Sequence, residues 1–535
     1  MKYLFTAFCL LRMCFLLQAQ ALETLDINNI IATVSSNGEL FKELKLKTDP
    51  DKNLMNSTSL WMGGYDPAGA LHFAGQTDFS KGHELFYGPI DADYKSFDYD
   101  LKYDKVWKLN KTMIEDHKKN FNKPGYVIPK EIKEFPQSNF DKDRAFTSGL
   151  FLFEDLNHNV WYEPELGEYP IILGDQCIYF ILNDTKEKHS ITKGDLLGFQ
   201  ILGMLWGYQS SLESVNQTIY LTYKIINKSN NTYHNFYIGL FSDMNSGDPG
   251  SNYVGFDIPS NSSYTYSANS NDPLFGKTPP VISLMNMGNS LTYINDRHKN
   301  WFISYTDPIS TEAPETGSPG TVNDYYHYLS GRWKDGSRIA TQGTGYNPSS
   351  SNLSNFLFTG DPNDSSPNWN EVSANNKPGN RKSVQGIGPS TIEPGQIFCL
   401  NYALTVTRDV TGDHISGIKK MKEHIQEVQD QFNNPLNLFC AVSPKTNTFD
   451  ENGNNRLQIV PNPASHKMNI KSEDLITGVP LIYRIFSTTG QLVDQAKLIH
   501  STNLEIDISD VPAGMYFLAL TQGSLNIKGK VLVMK

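Results

Sequence analysis

The chain has 535 residues, with 46 Lys and Arg against 57 Asp and Glu, for a formal net charge of −11. That balance leaves out the basic stripes by which proteins hold nucleic acid or an anionic membrane surface. Aromatic residues make up 12% and charged residues only 19%, a composition that folds rather than staying disordered and that suits an all-β architecture.

Met1-Lys2 is a short basic start, Leu4 to Leu17 is largely apolar, and Ala19-Gln20-Ala21 is a small-residue cleavage site, so 1–21 reads as a signal peptide. The apolar run is too short to span a bilayer, and no later run approaches the ~20 apolar residues that a spanning helix needs. Cys9 and Cys14 leave with the signal. Cys177, Cys399 and Cys440 remain, allowing one disulfide whose pairing the sequence leaves open. Cys177 and Cys399 lie in apolar strands and read as buried free thiols.

Residues 22–442 are expected to form a β-rich body of two or three sub-domains. Asp26 to Leu46 reads as strand, turn at Ser36-Asn37-Gly38, and strand. Leu60 to Ala74 is hairpin-like around Asp66-Pro67-Ala68-Gly69. A short helix is expected between Thr112 and Phe121. Leu196 to Tyr208 has glycines at 198, 203 and 207, which favour a buried strand over a helix. Thr218 to Ile226 alternates, with Ile219, Leu221, Tyr223 and Ile225 on one face and Thr218, Tyr220, Thr222 and Lys224 on the other. Gly247 to Ser383 is rich in Asn, Ser, Gly and Pro and reads as loops. Ile397 to Val406 is a further core strand. Ile415 to Phe432 is the one convincing helix, with Ile418, Met421, Ile425 and Val428 on one stripe. Ser443 to Arg456 reads as a linker.

The stretch from Asp155 to Glu168 carries the most suggestive chemistry. Asp155, Asn157 and Asn159, the carbonyl of Trp161, and Glu163 follow the alternation of a calcium loop, with Glu168 beyond them. Calcium is the one cofactor this points to. Asn stands for carboxylate twice, Val160 stands for the turn glycine, and Leu166 occupies the position of the bidentate acid. The competing reading is a loop held by side-chain turns. Asp243 to Gly250, with Asp257, is a second acidic stretch that reads better as a solvated turn. Tyr325, Tyr326, Trp333, Tyr346 and Trp369 could line a carbohydrate platform, although core packing accounts for most aromatics in such a fold. No nucleophile elbow, His-Glu-x-x-His, phosphate loop or Cys-x-x-Cys occurs, and His83-Glu84 lacks a second histidine. A glycosidase needs only two carboxylates that meet in space. A glycan or peptide hydrolase is therefore the alternative to a non-catalytic body.

From Leu457 to Lys535 the chain becomes short alternating strands with turns at Thr488-Thr489-Gly490 and Pro512-Ala513-Gly514, the pattern of a small Ig-like β-sandwich of about seven strands. Pro461-Asn462-Pro463, then Gly514-Met515-Tyr516, then a basic end with Lys530 and Lys535 stand in the order found in one family. This stretch closely resembles the C-terminal sorting domain of Bacteroidetes proteins exported by the type IX secretion system. The resemblance implies export through the periplasm to the cell surface or medium by the type IX machinery. It also implies removal of the tail near 443–456 and attachment of the body to surface lipopolysaccharide. Leu60 to Gly64, Tyr223 to Ser229, Tyr328 to Gly336 and Gly386 to Gly395 resemble a family of large secreted Bacteroidetes proteins that carry the same tail, a match that supplies no catalytic residues. The expectation is an adhesin-like β-sandwich body, without catalysis, followed by a sorting domain.

Overall fold

A computed structural model of the chain describes residues 21–90, 102–136, 150–157, 161–291, 299–306, 314–364, 368–431, 458–471, 480–487, 491–499, 504–522 and 525–534. The body is built on the alternation of Thr218–Asn227. Ile219, Leu221, Tyr223 and Ile225 enter one apolar core, while Tyr220 enters another. Both faces of this strand are buried, so it lies at the centre of the sheet.

Nine antiparallel strands form that sheet. Its path runs Asn252–Asp257, Ser262–Ser267, Val281–Asn289, Ile397–Thr407, Thr218–Asn227, Phe199–Gly207, Gln176–Asn183 and Phe86–Tyr87, and Trp107–Asn110 also pairs Gln176–Asn183. A five-stranded sheet has the order Lys299–Thr306, Arg381–Ile392, Tyr233–Met244, Met55–Tyr65 and Leu71–Ala74. The two face each other across a common core to which Phe180, Ile201 and Leu400 come from one side and Leu60, Ile238 and Ile387 from the other. This is a β-sandwich.

Each sheet has a second covered face. Helix Ser416–Gln431 lays Ile418, Met421, Ile425 and Val428 against the nine-stranded sheet, beside Val281 and Met285. The Asp413 carboxylate accepts from the Ile415 and Ser416 N–H groups, satisfying donors at the helix start. Helix Val322–Leu329 covers the five-stranded sheet. Its start is closed by a capping box in which Thr321 and Asp324 each bond the other's backbone. There Trp61 stacks on Phe241 at 5.3 Å and Tyr305 on Tyr328 at 4.9 Å.

The hairpin around Asp66 forms as read, with Met62 opposite Ala74 and Tyr65 opposite Leu71. Gly203 faces the Phe180 ring, where a Cβ would lie 2.1 Å from ring carbon; the glycine therefore belongs to a strand and admits the aromatic. Three expectations are corrected. The region read as loops, 247–383, contains four complete strands and a helix, because Ser and Asn alternate there with buried Tyr253, Tyr264 and Tyr266. The short helix expected between Thr112 and Phe121 forms as Lys111–Asn120, but Ser416–Gln431 is not the one other helix: the described residues also include Lys130–Lys133, Glu213–Asn216 and Val322–Leu329. Cys177 is buried and free, but Cys399 is in a disulfide whose partner lies outside the described residues. Burial in an apolar strand did not distinguish a thiol from a half-cystine. The linker 443–456 also lies outside the described residues.

The tail is a seven-stranded sandwich with two sheets of its own, and its Phe486 and Ala519 join the apolar cluster that lies over the nine-stranded sheet. Gln458–Val460, Lys467–Lys471 and Leu504–Asp507 form one sheet; Leu492–Ile499, Pro480–Ser487, Gly514–Gln522 and Leu525–Val533 form the other. Met468, Ile470, Ile485, Leu518 and Val531 fill the space between them.

Candidate functional site

The tail motif residues converge although up to 70 positions separate them. The Asn462 Nδ2 donates to the Lys530 carbonyl at 2.8 Å, and its Oδ1 accepts from the Leu532 N–H at 2.8 Å. Two residues on, the Ala464 N–H donates to the Leu532 carbonyl and the Ala464 carbonyl accepts from the Met534 N–H, both at 2.8 Å. The segment 462–464 thus lies along the outer edge of Leu525–Val533 as an additional, parallel strip. Pro461, Asn462, Pro463 and Lys530 are all exposed. Gly514 stands opposite Val533 and Tyr516 opposite Val531, and a Cβ added at Gly514 would lie 3.4 Å from the Tyr516 ring. Lys535 lies outside the described residues.

The Asp155 loop is tied to itself. Glu168 is buried, with Oε2 accepting from the Glu163 N–H at 2.7 Å and Oε1 from the Leu156 N–H at 3.3 Å. The Asn157 amide donates to Glu163 Oε2 at 3.0 Å. Burial pushes the Glu168 carboxyl above the usual carboxylate range. The buried His117 donates from Nε2 to the Glu168 carbonyl at 3.1 Å, fixing the loop to helix Lys111–Asn120. Asp155 and Trp161 lie in the described part of this loop, whereas Asn159 lies outside it. Among the described residues no group of three or more His, Cys, Asp or Glu side chains is arranged to hold a metal.

The second acidic stretch is not the solvated turn expected: Asp243 lies in strand Tyr233–Met244, Asp243, Asn245 and Ser246 are buried, and within 243–250 only Pro249 and Gly250 are exposed. Asp272 accepts from Asp248, Leu274 and Phe275 N–H groups, and Asp248 accepts from Gly250 N–H and the Ser251 hydroxyl. Asp257 and Asp361 hold Lys422 of helix Ser416–Gln431 at 3.4 and 2.7 Å. The aromatics considered for a carbohydrate platform belong mainly to the core outside the five-stranded sheet. Tyr325, Tyr326 and Trp333 are buried in it, and Tyr346 and Trp369 pack partly buried against it. The Trp333 and Trp369 indole N–H groups are bound to Gly345 and Gly343 carbonyls.

A constellation that sequence reading missed lies where residues 184–199 cross the Leu71–Ala74 strand. His189 is buried; its Nδ1 lies 2.7 Å from the Phe73 carbonyl and its Nε2 3.1 Å from the Asp184 carbonyl. Both ring nitrogens thus lie within hydrogen-bond distance of carbonyl oxygens, which only accept. Glu84 and Asp184, both buried, stand 3.7 and 3.8 Å from its two nitrogens. Glu84 accepts from the Ile191 and Thr192 N–H groups and the Thr192 hydroxyl, and Asp184 from the Leu197, Gly198 and Phe199 N–H groups. Burial raises the Asp184 carboxyl, opposed by His189 and these amides. Glu84 and His189 are 105 positions apart, and His83-Glu84 is visible in the chain only as an incomplete metal motif. No local spacing could have joined them.

The fold and the tail geometry define a β-sandwich protein with a C-terminal export module. Residues 458–534 match the family described as secretion system C-terminal sorting domain. The chain carries a type IX secretion sorting domain, which implies a Bacteroidetes origin, and is a secreted or cell-surface protein. No helix among the described residues is long and apolar enough to cross a membrane. No curated protein matches the chain. Among solved structures, a polysaccharide lyase aligns with 63% of this chain and 34% of its own at 7% identity and a TM-score of 0.19. Dimeric latent PorU from Porphyromonas gingivalis aligns with 68% of this chain and 32% of its own at 10% identity and a TM-score of 0.13. The BSP domain of a biofilm-associated protein aligns with 61% of this chain and 62% of its own at 9% identity and a TM-score of 0.14. The chain spans about a third of the first two. At such scores these likenesses carry no argument about the body.

Proposed function

We propose that the body is a non-catalytic structural or binding module displayed outside the cell, with an adhesin-like role. The observation that carries this reading is the use made of buried ionisable groups. Glu84, Asp184 and Glu168 accept backbone N–H bonds, the His189 ring lies between two carbonyls, and Glu371 forms a two-bonded pair with buried Arg381 at 3.0 and 2.9 Å. A general acid or base must have a lone pair or proton to offer a substrate, whereas these groups hold loops.

In this reading the tail directs export, is removed near 443–456, and leaves the body attached to surface lipopolysaccharide. Tail-deleted chain is expected to remain in the periplasm. The surface form is expected to lack 458–534 and to carry the added mass of polysaccharide; a surface form of unmodified full-length mass would overturn that part. The body is tested with surface protein from the producing bacterium, applied to immobilised glycans and host matrix proteins and assayed for glycan and peptide hydrolysis. Saturable binding without turnover is expected, and turnover would make the body a hydrolase.

Calcium at the Asp155 loop belongs to this reading on the oxygen spacing of the sequence alone. A bound ion must raise the thermal midpoint, and Asp155→Ala must abolish that rise. No rise at millimolar calcium would leave the loop with its Glu168 staple as its whole content.

A further inference from the structure

We propose that Asn462 is the positioning residue of the sorting signal, assembling one docking surface from the two ends of the tail. The proposal rests on the assignment of the tail as a sorting domain.

Lys530 C=O, Leu532 N–H, Leu532 C=O and Met534 N–H point away from the neighbouring strand Gly514–Gln522. All four are taken by residues 462–464. Two of these bonds come from backbone at Ala464. The other two come from one side chain, whose carboxamide presents a donor and an acceptor with the spacing of a peptide group. Asn462 therefore serves as a surrogate residue of β-strand. The flanking Pro461 and Pro463 have no N–H, so the added strip offers no donors from those positions to extend the sheet. An edge that would otherwise recruit another chain is closed, and recognition must occur through side chains.

Exposure supplies the second observation. In the tail, Val460 and Met534 are large apolar side chains that stay exposed, each at 56%. Val460 precedes the Asn462 bonds by two residues, and the Met534 N–H makes one of the Ala464 bonds. Exposed Pro461, Pro463 and Lys530 lie between them along the latch. The chain thus places two apolar side chains, two prolines and one ammonium group around a single rigid contact. Such a surface fits an apolar patch bordered by carboxylates on a component of the outer-membrane secretion machinery. Apolar area provides attraction and the lysine provides orientation.

The test uses the full chain in its own bacterium, with periplasmic and extracellular amounts measured together with amide hydrogen exchange of the purified protein. Asn462→Ala removes both side-chain bonds. It is expected to stay in the periplasm as tail-deleted chain does. Its Leu532 and Met534 amides should exchange faster while amides of Lys467–Lys471 stay protected. Export of Asn462→Ala at the level of the unaltered chain would overturn the proposal. Two further variants separate positioning from stability. Val460→Ser combined with Met534→Ser keeps every latch bond, so exchange should be unchanged and export lost; normal export would overturn the docking surface. Ile470→Val loosens the tail core without touching the latch and should be exported. If it fails to be exported at the same thermal midpoint as Asn462→Ala, export follows stability and the positioning role is overturned. Export of tail-deleted chain would instead sink the sorting assignment itself, and the proposal with it.

Discussion

His189 is buried between the Phe73 and Asp184 carbonyls, with Glu84 and Asp184 carboxylates 3.7 and 3.8 Å from its ring nitrogens. Removing the ring leaves these buried polar groups without that partner. His189→Ala is therefore expected to lower unfolding free energy by about 1–3 kcal/mol, the cost of leaving buried polar groups unsatisfied. Denaturant titration checks this, and a loss within about 0.5 kcal/mol, as at an ordinary surface position, would mean that the ring is a bystander. Lys224 is the opposite case. Burial, with Lys228 adding to it, pulls its amine down to about 8. The unfolded chain then holds a proton that the folded amine releases, so stability from this group rises with pH between about 8 and the ordinary lysine value. Lys224→Met should remove that slope and raise stability near neutral pH by about 2 kcal/mol. An unchanged slope in alkaline denaturation curves would rule it out.

Among secondary elements, glycines decide how closely layers approach. Gly386 lies in Arg381–Ile392 where a Cβ would be 2.2 Å from the Leu329 carbonyl oxygen, at the end of helix Val322–Leu329. The helix must move if any side chain is added. Gly386→Ala is expected to cost about 1–3 kcal/mol and to raise proteolysis within 322–336, while the common core of the sandwich stays intact. A thermal midpoint equal to that of the unaltered chain would show that the helix is not packed so closely. The four stretches that resemble the secreted family can be understood in the same terms. Trp61, Tyr223, Trp333 and Gly386 occupy buried contacts between layers, so each of these stretches contributes to packing.

For the whole molecule, pH dependence on the acid side follows from histidines buried in the body. Burial lowers His83, His117 and His424 below their ordinary value of 6.5. As pH falls through that value the unfolded chain binds protons that the folded chain refuses, so stability declines. His117→Gln should flatten that decline in thermal melts between pH 7 and 5, and an unaltered slope would assign the decline elsewhere. Asp184 and Glu168, raised by burial, act in the opposite sense at lower pH. Between their unfolded and folded values the folded state holds the proton more tightly, so their contribution grows on acidification.

Periodicity along the chain was sufficient for sandwich strands such as Thr218–Asn227 and Ile397–Thr407, for the Ser416–Gln431 helix and for the strands of the tail, because the two faces of a strand and the stripe of a helix are written in consecutive residues. The tail motifs were equally plain, since Pro461, Asn462, Pro463, Gly514 and Tyr516 come in a recognisable order. Strands such as Ser262–Ser267 were not legible, since serine and asparagine that become buried between tyrosines have the composition of a loop. Nor was the meeting of Asn462 with Lys530 and Leu532, or of Glu84 with Asp184 and His189. Hydrogen bonds and ion pairs act over about 3–4 Å, and only the folded chain brings residues so distant in sequence within that range.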